Sequence, residues 1–195
     1  MTDQSRRAFI FGGAVSVSAA VFFSVNKLAS YALAEAPEQE STQTPVTIVE
    51  FSDDGRKLRS VTRDKIRKTR EEWKKELSLD SYRVTRLAGT EAPESGELTH
   101  EHRVGIFRCV CCGNALFASA AKFESGTGWP SFWEPIAAEN VYEKMDTSFG
   151  TVRREVKCTL CDAHLGHVFA DGPDPTGLRY CMNSVALRFC EQKSS

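Results

Sequence analysis

The spacing of apolar positions divides the chain into a short segment with helical patterns and a longer segment of short strands. After Gly89, runs of β-branched and aromatic residues are short and are separated by Gly, Pro or Asp, which is typical of antiparallel strands. The strands expected there are Val104–Phe107, Val141–Met145, Val152–Val156 and Tyr180–Phe189. The chain is therefore expected to fold as one mostly β domain preceded by short helices.

Before Gly89, the pattern predicts a hairpin and two short helices. The expected strands are Val46–Phe51 and Lys57–Val61, joined by an Asp-Asp-Gly turn, and the expected helices run through Trp73 to Leu77 and from Tyr82 to Leu87. Thr69 can cap the first helix, with Glu72 placed to complete a capping box. Gly89 is a natural end for the second helix.

The first 34 residues are expected to be an export signal rather than part of the fold. Arg6 and Arg7 stand in a string that resembles the twin-arginine signature, and a mildly apolar stretch and a small-x-small site ending at Ala34 follow. An uncleaved membrane tether is the alternative. Residues 35–45 are predicted to be a flexible tether, and residues 46–195 a single catalytic domain. The expected location is therefore periplasmic.

Composition and charge suit one domain of ordinary size with extensions. The chain has 195 residues, of which 41% are hydrophobic and 26% charged, so it can form a core and is not disordered throughout. Its net charge of -1 gives no electrostatic reason to expect binding to nucleic acid or to a membrane surface. The basic run at residues 63–70 is followed by glutamates, which indicates a solvated helical face.

Two Cys-x-x-Cys pairs, Cys109 with Cys112 and Cys158 with Cys161, have the spacing of metal ligands. Two such turns can complete a tetrahedral four-thiolate site, so a structural Zn²⁺, one per chain, is predicted; four thiolates would also hold iron. The ion would link two hairpins that are distant in the sequence. A pair of disulfides, a redox-active pair and a zinc-ribbon nucleic-acid module are the alternatives.

A fifth thiol, Cys181, stands outside this set and is the candidate nucleophile. On an extended strand the side chains of Arg179, Cys181 and Asn183 share one face, and a neighbouring arginine lowers the pKa of a thiol. Further polar residues that can supply protons or orient a partner are His164, His167 and Asp171. Upstream, glycines flank Thr127 in a flexible loop, and Trp129 either packs in the core or forms the wall of a pocket.

With these motifs, the chain resembles the B-type methionine sulfoxide reductases over residues 73–189. The resemblance rests on the two cysteine pairs, Gly-x-Gly-Trp-Pro-Ser-Phe, His-Leu-Gly-His-Val-Phe, Asp-Gly-Pro and Pro-Thr-Gly-Leu-Arg-Tyr-Cys-x-Asn-Ser. It implies two antiparallel sheets that form an open, barrel-like sandwich with a zinc-bound lobe. It also implies reduction of the R epimer of methionine sulfoxide in peptides and proteins. A monomer is expected.

The resemblance also implies a role for each site residue. Cys181 matches the nucleophile that attacks the sulfoxide sulfur and becomes a sulfenic acid. The other matches are His164 and His167 as proton donors, Asp171 and Arg179 as the polar network around the thiolate and the oxygen, Asn183 as a support of that network, and Trp129 as the wall for the S-methyl group.

One position departs from much of that family, since Thr127 stands where many members carry a resolving cysteine. The two remaining thiols are Cys111, inside the first metal turn, and Cys190, which a continuous strand from Cys181 would place on the opposite face. We therefore expect a cycle completed by an external thiol or a thioredoxin-like dithiol protein. A thiol-disulfide exchanger and a zinc-bound binding module are the competing functions.

Overall fold

A computed structural model describes residues 43–192, apart from the side chain of Phe149. The predicted export signal and most of the predicted tether lie outside the described residues. Within residues 43–192, eleven strands and two α-helices are present, and no helix there is long and apolar enough to cross a membrane. The expectation of a mostly β chain with short helices is confirmed for this part.

The strands form three antiparallel sheets. Their bounds are β1 Pro45–Phe51, β2 Lys57–Asp64, β3 Gly105–Cys109, β4 Ala115–Ala118, β5 Lys122–Phe123, β6 Ser131–Phe132, β7 Val141–Asp146, β8 Arg153–Cys158, β9 His164–Phe169, β10 Arg179–Met182 and β11 Leu187–Glu191. The first sheet is the hairpin β1–β2, the second has the order β5-β6-β10-β9-β8-β7, and the third has the order β11-β3-β4. The hairpin was predicted from the sequence and is confirmed, with β2 three residues longer than expected. The barrel-like sandwich stays a prediction.

Three buried phenylalanines join the two larger sheets. Phe132 lies on β6, and its ring stacks on Phe117 of β4 at a centroid distance of 4.4 Å. The ring of Phe107, on β3, meets Phe132 edge-on at 4.9 Å. All three side chains are fully buried, and burial of each stabilises the fold by about 2–3 kcal/mol.

The N-terminal hairpin is part of the core. Ile48 and Val49 of β1 are buried, and the side chain of buried Asn140 bonds both the N–H and the carbonyl oxygen of Val49, at 2.7 and 2.8 Å. After β2, the N–H of Ile66 donates to the carbonyl oxygen of Leu160, which lies in the second cysteine pair, at 2.8 Å. The hairpin therefore supports this cysteine turn directly, a role that the sequence did not indicate.

The two helices begin at polar caps. Helix α1, Arg70–Glu76, has the predicted capping box, because Thr69 accepts from the N–H of Glu72 and the Glu72 carboxylate accepts from the N–H of Thr69. Helix α2, Leu79–Leu87, begins three residues earlier than predicted because Ser78 caps it. It ends at Ala88 in the left-handed conformation, with φ of 54°, rather than at Gly89.

The predicted strand Tyr180–Phe189 is wrong, because the chain leaves one sheet and enters another within it. Strand β10 ends at Met182, a 3₁₀ turn spans Ser184–Ala186, and β11 then pairs with β3. The N–H groups of Ser184 and Val185 donate to the two oxygens of the Glu91 carboxylate, at 2.6 and 3.0 Å, instead of to a neighbouring strand. Because the Glu91 carboxylate accepts these two N–H groups, the strand pairing of β10 does not continue past this point.

Candidate active site

Cys181 lies on β10, in the interior of the six-stranded sheet. Its cross-strand partners are Ser131 on β6 and His167 on β9. On the antiparallel pleat, directly opposed side chains point to the same face, so these three side chains are neighbours. The close pairing of β9 with β10 requires Gly166, since a Cβ there would overlap the carbonyl oxygen of Cys181.

A loop of hydroxyl groups lies beside the thiol. Gly126 and Gly128 have φ of 69° and 89°, a left-handed conformation that glycine adopts without strain, and they place Thr127 between them. The Ser125 hydroxyl contacts Thr127 Oγ1 at 2.8 Å and Ser131 Oγ at 2.7 Å. Thr127 Oγ1 lies 3.9 Å from Cys181 Sγ, within the range of a weak hydrogen bond to sulfur.

A pocket of about 140 Å³ opens beside Cys181. It is lined by Thr90, Trp129, Arg153, Gly166, His167, Phe169, Cys181, Met182 and Asn183. Two aromatic rings and a methionine make much of the wall apolar, with the thiol and an imidazole as reactive groups. The pocket is therefore small, mostly apolar and supplied with a nucleophile, which are properties of a small-ligand site. The sequence left two placements open for Trp129, the core or the wall of a pocket. The residue lies in the wall of this pocket.

Arg179 does not line the pocket but contacts Phe169, which does, and pairs with Asp171. Its guanidinium donates to both carboxylate oxygens of Asp171, at 2.9 and 2.8 Å, and lies over the ring of Phe169 at 4.5 Å from the centroid. The hydrogen bonds from Arg179 hold the pKa of Asp171 below its usual value. Asp171 itself is exposed and does not line the pocket, so it reaches the site only through Arg179.

Burial raises the pKa of the Cys181 thiol above its usual value. The hydrogen bond from Thr127 and the positive charge of Arg179 act in the opposite direction but do not outweigh the loss of solvation. The sequence indicated only the effect of Arg179, which does lower the pKa of Cys181. The larger effect of burial, which raises this pKa, was not visible in the sequence. In the free protein the thiol form therefore predominates at neutral pH.

His167 is held by acidic and basic groups from the edge of the same sheet. Its Nε2 lies 2.9 Å from Asp146 Oδ2, and Asp146 also accepts from Arg153 at 2.7 Å. Hydrogen bonds from Ser148, first, and then from His167 lower the pKa of Asp146, so this carboxylate is ionised. The contact with Asp146 thus fixes the ring orientation of His167.

His164 lies outside the lining of the pocket. A register shift between β8 and β9 near Val156 brings its ring against that of His167, at a centroid distance of 5.4 Å. Its Nδ1 lies 2.8 Å from Glu155 Oε1, and its buried Nε2 has no hydrogen-bond partner among the described residues. Burial lowers the pKa of His164, which keeps the ring neutral at pH 7 despite Glu155.

Asn183 and Glu91 hold the backbone on either side of the pocket. The Asn183 amide donates to the carbonyl oxygen of Leu165 at 3.0 Å and accepts from the N–H of Glu91 at 3.0 Å. The indole N–H of Trp129 donates to the carbonyl oxygen of Glu91 at 3.2 Å. Asn183 follows β10 and is fully buried, so it acts here as a backbone support.

The sequence reasoning missed several residues of the site. Phe169 stands two residues after His167, so the period of a strand could have placed it on the same face. Glu91, Asp146 and Arg153 carried no such signal, because each is distant in the sequence from the residue that it supports. Their roles follow only from the pairing of strands and loops.

The four predicted metal ligands come together at the other end of the strands. The sulfur atoms of Cys109, Cys112, Cys158 and Cys161 all lie within 4.8 Å of one another, so they could hold a metal ion. The Asn114 amide donates to Cys158 Sγ at 3.7 Å, as expected for a group that stabilises a thiolate. The four thiols are free rather than paired in disulfides. A tetrahedral thiolate site therefore fits the residues present.

The two cysteine turns have the same backbone design. In the first turn, the N–H of Gly113 donates to the carbonyl oxygen of Cys109 at 2.8 Å, and in the second the N–H of Asp162 donates to that of Cys158 at 2.9 Å. Gly113 and Asp162 both adopt positive φ, of 75° and 57°. Each hairpin turn thus presents its two thiols to the same point.

The two spare thiols lie in different places. Cys111 is half-buried and lies near the sulfur atoms of Cys109 and Cys161 and the hydroxyl of Thr85. Cys190 lies on β11, opposite Ile106 of β3, in the smaller of the two large sheets. Cys181 and Cys190 do not lie on one continuous strand, although the sequence suggested it. They belong to two different sheets.

The chain is similar in sequence to known proteins. A family described as the SelR domain matches residues 77–191, more than half of the chain. A protein of Herminiimonas arsenicoxydans named peptide methionine sulfoxide reductase MsrB is 56% identical over 126 residues, which are 65% of this chain and 92% of that protein. A Pseudomonas entomophila protein of the same name is 58% identical over 123 residues, or 63% of this chain and 94% of its own length.

The raised pKa of Cys181 predicts slow alkylation at neutral pH. The rate of reaction of Cys181 with iodoacetamide should rise about tenfold per pH unit from pH 7 to 9, because only the thiolate reacts. Arg179→Met should slow the reaction about three- to tenfold at each pH, since it removes the charge that stabilises the thiolate. Peptide mass spectrometry at Cys181 measures the rate. The exposed Arg56→Met is the control, and a plateau below pH 8 would contradict the predicted direction.

Proposed function

We propose a specific reaction for this chain, which belongs to the SelR-domain family of peptide methionine sulfoxide reductases. The chain is an oxidoreductase that acts on peptide methionine sulfoxide. The proposal adds that it reduces the R epimer through a sulfenic acid on Cys181 and is regenerated by an external thiol. The observation that carries it is the pocket that joins Cys181, His167 and Trp129.

The proposed step starts from the thiolate of Cys181. Its sulfur attacks the sulfoxide sulfur, and two protons convert the sulfoxide oxygen into water as the S–O bond breaks. Water then attacks Cys181 Sγ, which releases methionine and leaves a sulfenic acid with the return of one proton. Methionine sulfoxide is thereby reduced by two electrons, and Cys181 is oxidised by two.

His167 is the proposed proton donor to the leaving oxygen. It opposes Cys181 across the strand pair, and Asp146 holds one ring nitrogen at 2.9 Å, which orients the ring. His164 contacts the ring of His167 and is kept neutral by burial. We propose that it supports proton transfer from His167 without contacting the substrate itself. The charge of Arg179 supports the thiolate, and Asp171 positions the guanidinium.

The pocket walls are proposed to receive the substrate side chain. Trp129 and Phe169 offer apolar faces to the methyl group and the methylenes, and the cavity of about 140 Å³ suits one such side chain. Because burial keeps the Cys181 thiol protonated, its activation is proposed to depend on the substrate. A substrate oxygen that accepts a proton, together with Arg179, can draw the thiolate from a thiol that is otherwise protonated.

The main test is turnover of the two sulfoxide epimers. With dithiothreitol as reductant, the chain should reduce a peptide that contains the R epimer and leave the S epimer unchanged. Cys181→Ser should lower the rate by at least about a thousandfold, because it removes the nucleophile. Liquid chromatography of the peptide measures turnover, with Cys190→Ser as the matched control that keeps activity. Activity that survives Cys181→Ser would favour a thiol-disulfide exchanger, and lack of turnover by the unchanged chain would favour a binding module.

The reaction cycle is proposed to use one cysteine of this chain. Thr127 Oγ1 is the side-chain atom of the glycine-flanked loop that lies near Cys181 Sγ, at 3.9 Å, and a hydroxyl cannot form a disulfide. Cys111 lies beside the four-thiol cluster and Cys190 in another sheet, which supports regeneration by an outside thiol. A thioredoxin-like dithiol has the required chemistry.

Thr127→Cys should convert the one-cysteine cycle into a two-cysteine cycle. After one turnover without reductant, dimedone is added to trap a sulfenic acid. The unchanged chain should then carry a dimedone adduct on Cys181 in nearly every molecule, whereas Thr127→Cys should form a disulfide between positions 127 and 181. Peptide mass mapping distinguishes the two products, with Thr127→Ser as the control. A disulfide from Cys181 to Cys111 or Cys190 in the unchanged chain would contradict the cycle.

Zinc is the proposed occupant of the four-cysteine cluster. Four thiolates and an amide donor beside one sulfur suit this ion, and the cluster connects hairpins from two sheets. When bound there, the ion would have a structural role, since four protein ligands leave no open position for chemistry. Iron would satisfy the same ligands, so metal analysis decides the identity.

Loss of one ligand should remove the metal and destabilise the fold. The purified chain should contain one zinc per molecule, and Cys158→Ser should lose it and lower the free energy of unfolding by more than about 5 kcal/mol. Metal analysis by mass spectrometry and denaturant unfolding measure the two effects. The matched control is Cys190→Ser, which should keep the zinc. Two disulfides and no metal in the purified chain would overturn the assignment.

A further inference from the structure

A second group of metal-binding side chains lies outside the thiol cluster. His100, His102 and Glu124 are exposed, and one ligand atom from each lies within 4.8 Å of the others. His100 Nδ1 is 3.7 Å from Glu124 Oε2, and His102 Nε2 is 3.7 Å from Glu124 Oε1. The two imidazoles therefore approach opposite oxygens of one carboxylate.

The backbone that carries these side chains is fixed from below. The ammonium group of Lys122 is almost fully buried and donates to the carbonyl oxygen of Thr99 at 2.6 Å, next to His100. The same ammonium donates to Glu124 Oε1 at 3.1 Å. Thr99 is itself buried. This contact holds the segment that carries the histidines against the end of β5, so the ligand positions do not depend on the exposed groups alone.

A further carboxylate orients one of the histidines. Glu94 Oε2 lies 2.9 Å from Nε2 of His100, while Nδ1 of the same ring is directed at Glu124. A histidine that binds a metal through one nitrogen usually donates its other N–H to a carboxylate, and that bond sets the tautomer. Glu94 is positioned to do this for His100. The arrangement is an independent indication of a metal ligand beyond the closeness of the three side chains.

The contacts between these histidines and glutamates are not explained by their contribution to the stability of the fold. Each histidine–glutamate pair is exposed at the protein surface, where such pairs contribute little to stability. With neutral imidazoles, the two carboxylates and one ammonium leave the cluster with one negative charge. A divalent cation would be stabilised by that charge.

We propose that His100, His102 and Glu124 form a second metal site, which binds a divalent ion of the late first transition series. Two imidazoles and one carboxylate suit Cu²⁺, Ni²⁺ and Zn²⁺ rather than Ca²⁺ or Mg²⁺. Three protein ligands leave positions for water. Glu94 is a positioning residue for His100, and Lys122 competes with the ion for one Glu124 oxygen.

The site lies at the start of the active-site loop. Glu124 directly precedes Ser125, whose hydroxyl contacts Thr127 and Ser131. On the other side, the N–H of Glu94 donates to the carbonyl oxygen of Gly128 at 2.8 Å. A bound ion would therefore connect residues 94–102 to the loop beside Cys181 by a second link, although the binding itself does not depend on the proposed reaction.

Calorimetric titration with Ni²⁺ tests the site on the full chain, prepared without a histidine tag and with its resident metal measured beforehand. One further Ni²⁺ should bind per chain. His100→Gln and His102→Gln should abolish that binding, and Glu124→Gln and Glu94→Gln should weaken it by at least about tenfold. Cu²⁺ added to the unchanged chain should give an electron paramagnetic resonance spectrum with nitrogen splitting, which His100→Gln and His102→Gln remove.

Two controls separate this site from other ligands of the chain. Glu139→Gln, an exposed glutamate elsewhere, should bind Ni²⁺ as the unchanged chain does, and Cys181→Ser should also keep the binding. Loss of the ion in Cys181→Ser with full binding in both histidine variants would assign it to the thiol and overturn the proposal. Absence of stoichiometric Ni²⁺ binding to the unchanged chain would overturn it as well.

Discussion

Four cysteine sulfur atoms converge at the point where the two large sheets meet. Cys109 ends a strand of the three-stranded sheet and Cys158 ends a strand of the six-stranded sheet, so the cluster joins sheets that share no strand. Other segments depend on the same point. The guanidinium of Arg86 donates twice to the carbonyl oxygen of Cys161, at 3.0 Å, and Lys65 pairs with Asp162 in the same turn. The N-terminal hairpin and helix α2 thus support the cluster and are supported by it.

The site around Cys181 lies near the end of β9 that is opposite to the cysteine cluster. Strand β9 leaves the second cysteine turn, and its pairing with β10 places His167 against Cys181. The same burial that forms the pocket raises the pKa of the thiol, and Arg179 and Thr127 only partly compensate. In the proposed reaction this links catalysis to protection, because a protonated thiol reacts slowly until a substrate brings its own polar oxygen into the pocket.

Local features of the fold followed from the sequence with good accuracy. The capping box of α1 was correct because Thr69 and Glu72 satisfy backbone groups only three residues apart. The expected strands at Val141 and Val152 were found within one or two residues, since their composition favours an extended chain. The break after Met182 was missed, because it depends on Glu91, a partner ninety-odd residues upstream whose carboxylate takes two backbone donors. No local pattern records such a contact.

For the site, the sequence by itself determined which residue types are present and at what spacing, namely two ligand pairs, one separate thiol, and polar groups around it. Residue type fixes chemical capacity, and spacing within a turn or strand fixes which side chains share a face. Tertiary structure alone decided that Trp129 faces the pocket, that His164 lies outside it, and that Asp146 holds His167. It also decided the net pKa direction of Cys181. The reason is that desolvation and long-range pairing depend on everything packed around a group, and neighbours in sequence are a small part of that surrounding.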